Sequence, residues 1–429
     1  MTSSKQPRRN REGVYAALDV GSSKVCCMIA RLRHDDTLGA HHLEVVGIGQ
    51  QLSRGVKAGG VIEMETAARA IEAAVASAER MAGETVQQVV VNLSGGYPAS
   101  RLIEVEEWIG GREVGEVELR RTLQKGHSLE GLLGAPEKGR QLVHSIPTGY
   151  GIDGGRGIRD PRGLFADRMS VTMHIVTAAS GPLRNLVTCV QRSGFDVGAL
   201  VVSPFAAGLA ALVADETELG VTVIDMGAGT TSIAVFVEGN LTHVDVVPVG
   251  GQHVTSDIAR GLSTSLAHAE RLKTLYGHAT VTLVDERDLI DVPQVGEEEQ
   301  GHIQQVPRSL LNGVIRPRLE ETFELVRSRL EASGIDRVAG RRVVLTGGAS
   351  QLPGMTDLAS LVLDKQVRVG RPIHLRGLAE ATSGPASAVT AGLLAYALEK
   401  DLSEPLVTVS EPERAPRLFD RVGRWLGRP

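Results

Sequence analysis

The feature that most constrains the fold is a motif that occurs twice. The stretches YAALDVGSSKVCCMIA (15–30) and VTVIDMGAGTTSIAVFV (221–237) share one plan: an apolar segment, Asp-x-Gly, small residues and a second apolar segment. Asp19 corresponds to Asp225 and Gly21 to Gly227, at a separation of about half the 429-residue chain. Each copy predicts a β-hairpin with a tight glycine turn. The sequence therefore predicts a duplicated domain, each half opening with this hairpin.

Both turns contain the residue types that suit a phosphate-binding loop, because glycine lets backbone N–H groups approach a ligand closely. An aspartate at the strand end would repel a phosphate unless Mg²⁺ lies between them, held through water. We therefore expect Asp19 and Asp225 to organise Mg²⁺ while the turns clamp a triphosphate between two domains. The expected phosphate-binding residues are Gly21, Ser22, Ser23, Lys24, Gly227, Ala228, Gly229, Thr230 and Thr231. The alternative is that Asp-x-Gly is an ordinary tight turn.

Two further segments suit the nucleoside. In RRVVLTGGASQLPGM (341–355), a strand runs into Gly347-Gly348, which permits flat approach of a nucleoside, and a helix is expected from about Pro353. In AERLKTLYG (269–277), Glu270 and Lys273 lie one helical turn apart. They could hold ribose hydroxyls and base, or form a surface ion pair. The glycine pair could equally be an ordinary strand-to-helix turn.

Composition narrows the class of protein. A chain of this length needs two or more domains. Its net charge of −5 argues against nucleic acid as a partner. No run of about 18 apolar residues is present, so no membrane-spanning helix is expected. Cys26, Cys27 and Cys189 are interpreted as reduced core residues rather than metal ligands.

These segments, in this order, resemble the superfamily of actin, sugar kinases and heat-shock chaperone ATPases, whose connecting segment matches VVSPFAAGLAAL (201–212). VVGIGQQLSRGVKAGGVIEME (45–65), VVVNLSGGY (89–97), VVPVGGQHVTSDIARGL (246–262) and VVLTGGASQLPGM (343–355) are similar to the FtsA family of bacterial cell-division actin homologues. The resemblance implies an α/β actin-like ATPase fold with two duplicated domains around a nucleotide cleft and an inserted subdomain replacing the usual actin insertion.

The same resemblance implies function. Family members bind ATP with Mg²⁺, polymerise, bind the C-terminal tail of FtsZ and recruit later division proteins. They anchor the division ring to the cytoplasmic face of the inner membrane at the septum. Ser232 stands where the superfamily often has an acidic residue, so at most slow ATP hydrolysis is expected and no catalytic residue is assigned. The segment GPASAVTAGLLAYA (384–397) also departs from relatives, which often have aromatic residues at its start.

The resemblance and the residue pattern together predict these segments: a disordered start (1–13), a first domain (14–85 and 166–201), an inserted subdomain (86–165), a second domain core (202–252 and 340–400), its outer subdomain (253–339), a linker (401–416) and a terminal helix (417–429). Helices are expected at 66–82 and 182–193. Residues 303–333 are helical in pattern, although Pro307 and Pro317 should start, kink or break a segment. Residues 284–302 predict an exposed loop or edge.

The outer subdomain is the expected receptor for the FtsZ tail. Arg308, Asn312 and Arg316 share a helical face and could bind an acidic peptide. A solvated helix face is the alternative.

The segment RLFDRVGRWLGR (417–428) follows a proline-rich acidic linker. Its apolar and basic residues separate onto two helical faces, which is typical of a helix at a membrane interface. The expected membrane-binding residues are Leu418, Phe419, Arg421, Val422, Arg424, Trp425 and Leu426. Docking on the protein's own body or in a partner's groove is the alternative.

Two other functions stay open on sequence alone. A small-metabolite kinase of the same superfamily needs a catalytic base for the acceptor hydroxyl, and none is identifiable. A pilus-assembly scaffold of similar fold also binds nucleotide. The terminal helix and the SRGVKAGG stretch (53–60) favour cell division over both.

Overall fold

The structure is a computed structural model that describes residues 13–35, 40–128, 139–281, 285–295, 303–373 and 375–402. Its strands in chain order are β1 (Val14–Val20), β2 (Lys24–Asp35), β3 (Ala40–Leu52), β4 (Val56–Lys57), β5 (Gly60–Val61), β6 (Gln88–Leu93), β7 (Ala99–Glu113), β8 (Arg140–Ile152), β9 (Gly155–Ile158), β10 (Phe165–Ala179), β11 (Asp196–Val202), β12 (Val221–Met226), β13 (Thr231–Val237), β14 (Asn240–Val247), β15 (Leu289–Pro293), β16 (Ile303–Pro307), β17 (Arg342–Thr346) and β18 (Gln366–Val369).

Its helices are α1 (Met64–Ala82), α2 (Glu116–Ser128), α3 (Ser180–Arg192), α4 (Ser203–Ala211), α5 (Ala214–Leu219), α6 (Gly251–Gly261), α7 (Leu266–Tyr276), α8 (Arg308–Ala332), α9 (Met355–Leu363) and α10 (Ala388–Leu402). The helices expected at 66–82 and 182–193 are confirmed as α1 and α3. The helix expected from about Pro353 is α9. Strands alternate with helices, as the expected α/β class requires.

Two five-stranded sheets follow the same plan, which confirms the duplication. The first has the order β11-β6-β1-β2-β3 and the second the order β18-β17-β12-β13-β14. In each, the hairpin strands are antiparallel, and the first hairpin strand also pairs in parallel with a later strand. The first strands, β1 and β12, are almost wholly apolar and buried, as strands covered on both faces must be.

A third sheet forms the inserted subdomain, and its boundaries differ from the expected 86 and 165. Its order is β7-β10-β8-β9, and α2 packs against it. Strand β6 lies instead in the first sheet, between β1 and β11. Strand β10 pairs with β7 and β8 over its length, so residues 166–179 belong to the insertion rather than to the first domain. An apolar pattern predicts a strand but not the sheet that the strand joins. For that reason the predicted assignments of β6 to the insertion and of β10 to the first domain are wrong.

Helix α10 joins the two duplicated domains. The expected division gave residues 340–400 to the second domain. However, α10 packs on β1, β2 and β6 of the first sheet and crosses α4. At the crossing, a Cβ on Gly392 would lie 1.6 Å from the carbonyl oxygen of Ala206. One continuous core holds buried residues of both domains, including Val223 of β12 and Leu393 of α10.

The outer part of the second domain is built on α6, α7 and α8, with the pair β15–β16 beside them. Residues 303–307 form strand β16, so the helical pattern expected from residue 303 is wrong there. Pro307 precedes α8, as a helix-starting proline should. Pro317 lies inside α8 without breaking it, because the carbonyl group it leaves unpaired is that of exposed Gly313. The expected edge is confirmed where residues 289–293 form β15.

Two further observations concern the described residues. None of their helices combines the length and apolarity needed to cross a bilayer. Cys26, Cys27 and Cys189 are buried and form no disulfide, as expected for core residues.

Candidate nucleotide-binding site

The two Asp-x-Gly turns have the same geometry. Gly21 N donates to Lys24 O at 3.0 Å, and Gly227 N donates to Thr230 O at 2.9 Å. In the strand register, Asp19 lies opposite Cys26 and Asp225 lies opposite Ser232. In both hairpins the aspartate therefore lies two residues before the turn glycine, and the turn is closed by the same type of backbone hydrogen bond.

The turns face each other across the junction of the domains. A Cβ on Gly229 would lie 2.6 Å from Ser22 Oγ and 2.9 Å from Ala58 Cα. A side chain would therefore drive the turns apart, so glycine at this position permits their close approach.

A cavity of about 470 Å³ lies between the turns, within the size range of small-molecule sites. Its walls include nearly every residue expected to bind nucleotide or metal. These are Asp19, Gly21, Ser22, Ser23, Lys24, Asp225, Gly227, Ala228, Gly229, Thr230, Glu270, Lys273, Gly347 and Gly348. Residues separated by more than 300 positions in sequence thus share one chamber.

Thr231 is the exception, and its expected phosphate contact is wrong. Its side chain is fully buried, and Oγ1 donates to Val249 O at 2.8 Å. Thr230 is the last residue of the turn and Thr231 is the first residue of β13, and successive side chains of an extended chain point to opposite faces. Only Thr230 lines the cavity.

The two aspartates are buried and repel each other. Burial raises the pKa of Asp19 to about 6, although Lys24 opposes the shift. Burial, with repulsion from Asp19, raises the pKa of Asp225 to about 7, and the Thr346 hydroxyl opposes it by donating at 3.4 Å. Two buried carboxylates with one nearby lysine make a strongly favourable environment for a cation.

This donor set fits Mg²⁺ better than a metal held wholly by protein. No group of three or more histidine, cysteine, aspartate or glutamate side chains suited to a metal occurs in the described part of the chain. Mg²⁺ commonly keeps several waters and uses one or two carboxylates beside phosphate oxygens. Asp19 and Asp225 would supply those carboxylates.

Gly347 and Gly348 have different roles. Gly347 has φ +84°, and a Cβ there would lie 2.4 Å from Met226 O and 2.7 Å from Asp225 Oδ1. Glycine is therefore needed for the end of β17 to lie beside Asp225. Gly348 has open space where a side chain would be, since the nearest atom would be Ala386 Cβ at 4.0 Å. This leaves a flat wall on the cavity.

Glu270 and Lys273 line the cavity and also form an ion pair with each other, while their contact with a nucleoside stays a prediction. Lys273 Nζ lies 2.7 Å from Glu270 Oε2 and donates to Thr255 Oγ1 at 2.8 Å and to Gly251 O at 3.1 Å. These bonds tie α7 to the first turn of α6. The pair thereby fixes the wall of the cavity as well as contributing to it.

Sequence reasoning missed several cavity residues. Asn92 Oδ1 accepts from Val20 N at 2.7 Å, and its Nδ2 donates to Ser203 Oγ at 3.2 Å. Gln252 also lines the cavity, on the first turn of α6. The apolar walls include Val254, Leu319, Leu352 and Met355. Asn92 and Ser203 each follow an apolar strand segment, which was the available signal.

The expected peptide-binding face on α8 needs correction. Asn312 is fully buried, and its Oδ1 accepts from His278 N at 2.9 Å, so it is not available to a peptide. Arg308 donates to Tyr276 O at 2.7 Å and pairs with Asp285 and Asp288. The third member, Arg316, pairs with Glu320 at 2.7 Å. The spacing of four residues correctly predicts that the three side chains share a face of α8, but that face is partly buried.

The expected membrane-binding residues lie outside the described residues, as does the linker from residue 403. They are Leu418, Phe419, Arg421, Val422, Arg424, Trp425 and Leu426.

Two duplicated α/β domains that turn paired Asp-x-Gly loops into one cleft define an actin-like ATPase fold. Solved structures agree. The chain resembles a PilM–PilN type IV pilus biogenesis complex (TM-score 0.62, 19% identity, covering 89% of this chain and 98% of that one). It also resembles MreB5 of Spiroplasma citri bound to ADP (TM-score 0.51, 14% identity, 91% and 98% covered). At these identities the likeness concerns the fold.

Sequence comparison gives the family. The family model for "Cell division protein FtsA" matches residues 222–392, and that for "SHS2 domain inserted in FTSA" matches residues 95–177. The Cell division protein FtsA of Rhizobium meliloti (strain 1021) is 44% identical over 428 residues, covering 97% of this chain and 95% of that protein. The chain belongs to the FtsA family of cell division proteins.

Proposed function

We propose that this chain binds Mg-ATP in the cleft, assembles into filaments and tethers FtsZ to the cytoplasmic face of the inner membrane at the division septum. Later division proteins would be recruited to the same site. The observation that carries the nucleotide part is the meeting of two matched Asp-x-Gly turns around one cavity of about 470 Å³. Membership of the FtsA family supports the division role.

Within the cleft, each group of residues has a distinct task. The backbone N–H groups and hydroxyls of turns 21–24 and 227–230 would hold phosphate oxygens. Lys24 would lie beside the same oxygens and the two aspartates. Mg²⁺ held by Asp19 and Asp225 would neutralise phosphate charge. Gly348 and the apolar wall would accept the nucleoside, while Lys273 and Glu270 would border the ribose.

The membrane part rests on sequence chemistry. Residues 417–428 combine Trp425 and other apolar residues with several arginines. Each arginine near an anionic bilayer surface contributes about 1 kcal/mol. One short helix binds weakly, but a filament presents many copies, and their combined binding is much tighter. Self-assembly and membrane attachment therefore depend on each other in this proposal.

Liposome co-sedimentation tests the membrane part. With Mg-ATP and vesicles containing phosphatidylglycerol, the full chain should pellet, and a version ending at Arg414 should stay in the supernatant. Trp425→Glu should also reduce pelleting. Trp108→Glu is the matched control, because Trp108 is the chain's other tryptophan and is 65% exposed in the inserted subdomain. Equal pelleting of the full and shortened chains would contradict the anchor.

The test also separates the alternative functions. A pilus-assembly scaffold or a small-metabolite kinase should be indifferent to loss of residues 415–429. Pull-down with the C-terminal tail of FtsZ then examines the partner directly. Arg308→Glu and Arg316→Glu, at two half-buried arginines of α8, should weaken that binding if this face of the helix contributes to it.

A further inference from the structure

Gln252 makes two hydrogen bonds that point in opposite directions. Its backbone N donates to Ala228 O at 2.8 Å, within the second domain. Its side-chain Nε2 donates to Ser22 O at 3.2 Å, in the turn of the first domain. One residue on the first turn of α6 therefore connects both turns that line the cavity.

The turn that Gln252 reaches is held firmly by its own domain. Gly59 N donates to Ser22 Oγ at 3.0 Å, and Ser53 N donates to Ser23 O at 2.9 Å. Both donors lie in or beside the small hairpin β4–β5. Turn 21–24 and this hairpin thus form one unit. A bond from Gln252 to Ser22 consequently joins two domains rather than two loose loops.

The position of Gln252 makes its bond sensitive to a ligand. The side chain is exposed and lines the cavity, so water competes for Ser22 O. A hydrogen bond in water contributes little, whereas the same bond shielded from water contributes more. A ligand that fills the cavity would displace that water and strengthen the bond.

We propose that Gln252 is a positioning residue that holds the cleft closed over the phosphate groups of a bound nucleotide. This inference rests on the nucleotide site proposed above. Gln252 slows release of the nucleotide by keeping turn 21–24 against the second domain. It takes no part in bond breaking.

The bond sets precise requirements on the side chain. Asparagine is one methylene shorter and cannot bridge from α6 to Ser22 O. Glutamate has the right length but has no N–H donor, and its charge would repel both the carbonyl oxygen and the phosphates. A role limited to folding would make glutamate and asparagine similar to glutamine, because the residue is exposed.

Stopped-flow fluorescence with mant-AMPPNP and Mg²⁺ tests the proposal. Gln252→Ala and Gln252→Asn should release the nucleotide about three- to tenfold faster than wild type, with association changed less than about twofold. Gln252→Glu should release it faster still. Ser256→Ala is the matched control, since it removes a bond to Gln252 O on the same helix but none across the cleft. It should behave as wild type.

The possible results distinguish the closing role of Gln252 from nucleotide binding itself. Failure of the wild type to bind mant-AMPPNP would remove the nucleotide site itself. Normal binding by the wild type, with release from Gln252→Asn or Gln252→Glu equally slow, would overturn only the closing role. Thermal unfolding without nucleotide should give the same Tm for all variants. If the variants with faster release also had a lower Tm, in the same order, that result would also contradict the closing role.

Discussion

Replacing Asp225 by asparagine should stabilise the protein without metal and at the same time remove Mg-nucleotide binding. The burial of Asp225 and its repulsion from Asp19 raise the pKa of Asp225 from 3.8 to about 7. Because the folded pKa lies above the unfolded value, the stability that this group contributes is complete below pH 3.8. It is lost as the pH rises through about 7. The full loss corresponds to about 4 kcal/mol, which asparagine avoids.

The Asp225→Asn variant would keep the acceptor oxygen for the Thr346 hydroxyl, so the change removes charge and little else. Urea unfolding in EDTA should therefore show this variant more stable than wild type by about 2–4 kcal/mol at about pH 8, and nearly equal to it at about pH 4. Mg²⁺ with ADP should stabilise only the wild type. Asp215→Asn, at an exposed position of α5, is the control and should change neither property.

A variant less stable than wild type at about pH 8, or one that keeps full Mg-nucleotide affinity in calorimetry, would refute the reasoning. The first result would mean that the carboxylate is stabilised by its surroundings. The second would mean that Asp225 does not organise the metal.

Two other substitutions test the architecture of the site. Thr231→Val leaves the part-buried Val249 O without its donor, so it should cost about 1–3 kcal/mol in urea unfolding, while nucleotide affinity stays within about twofold. A large loss of affinity at unchanged stability would restore the phosphate role. Gly392→Ala forces α10 away from Ala206 and should cost about 1–3 kcal/mol, or more where the helices cannot separate. An unchanged Tm would contradict the close crossing of α4 and α10.

The cleft could be predicted from sequence because its key signals are local. A strand followed by Asp-x-Gly specifies both the turn and the direction of the carboxylate. A duplicated domain then places the two turns at equivalent edges of equivalent sheets. Asp19, Asp225 and the turn glycines meet in the cavity for that reason. Thr231 could also have been separated from Thr230 by the alternation of side chains along a strand.

The rest depended on partners distant in sequence. Strand β10 joins the inserted sheet by pairing with β7, more than 50 residues away in sequence. The residues of β10 alone do not indicate that pairing. Asn312 satisfies His278 N across the interior, so a face that looked polar is partly buried. In the sequence Gln252 is an ordinary helix residue, and only the structure shows its side-chain amide beside Ser22 O. Each case turns on a contact that periodicity does not encode.

The crossing of α10 and α4 has a mechanical consequence. Helix α10 is the last described element and packs against both halves of the molecule, with Gly392 pressed onto Ala206. The proposed anchor continues from the same end of the chain. In the membrane-attached filament proposed above, tension on the anchor would therefore pass through α10 into the helix pair that joins the two halves. Tension on the proposed anchor would then affect how far the proposed nucleotide cleft can open.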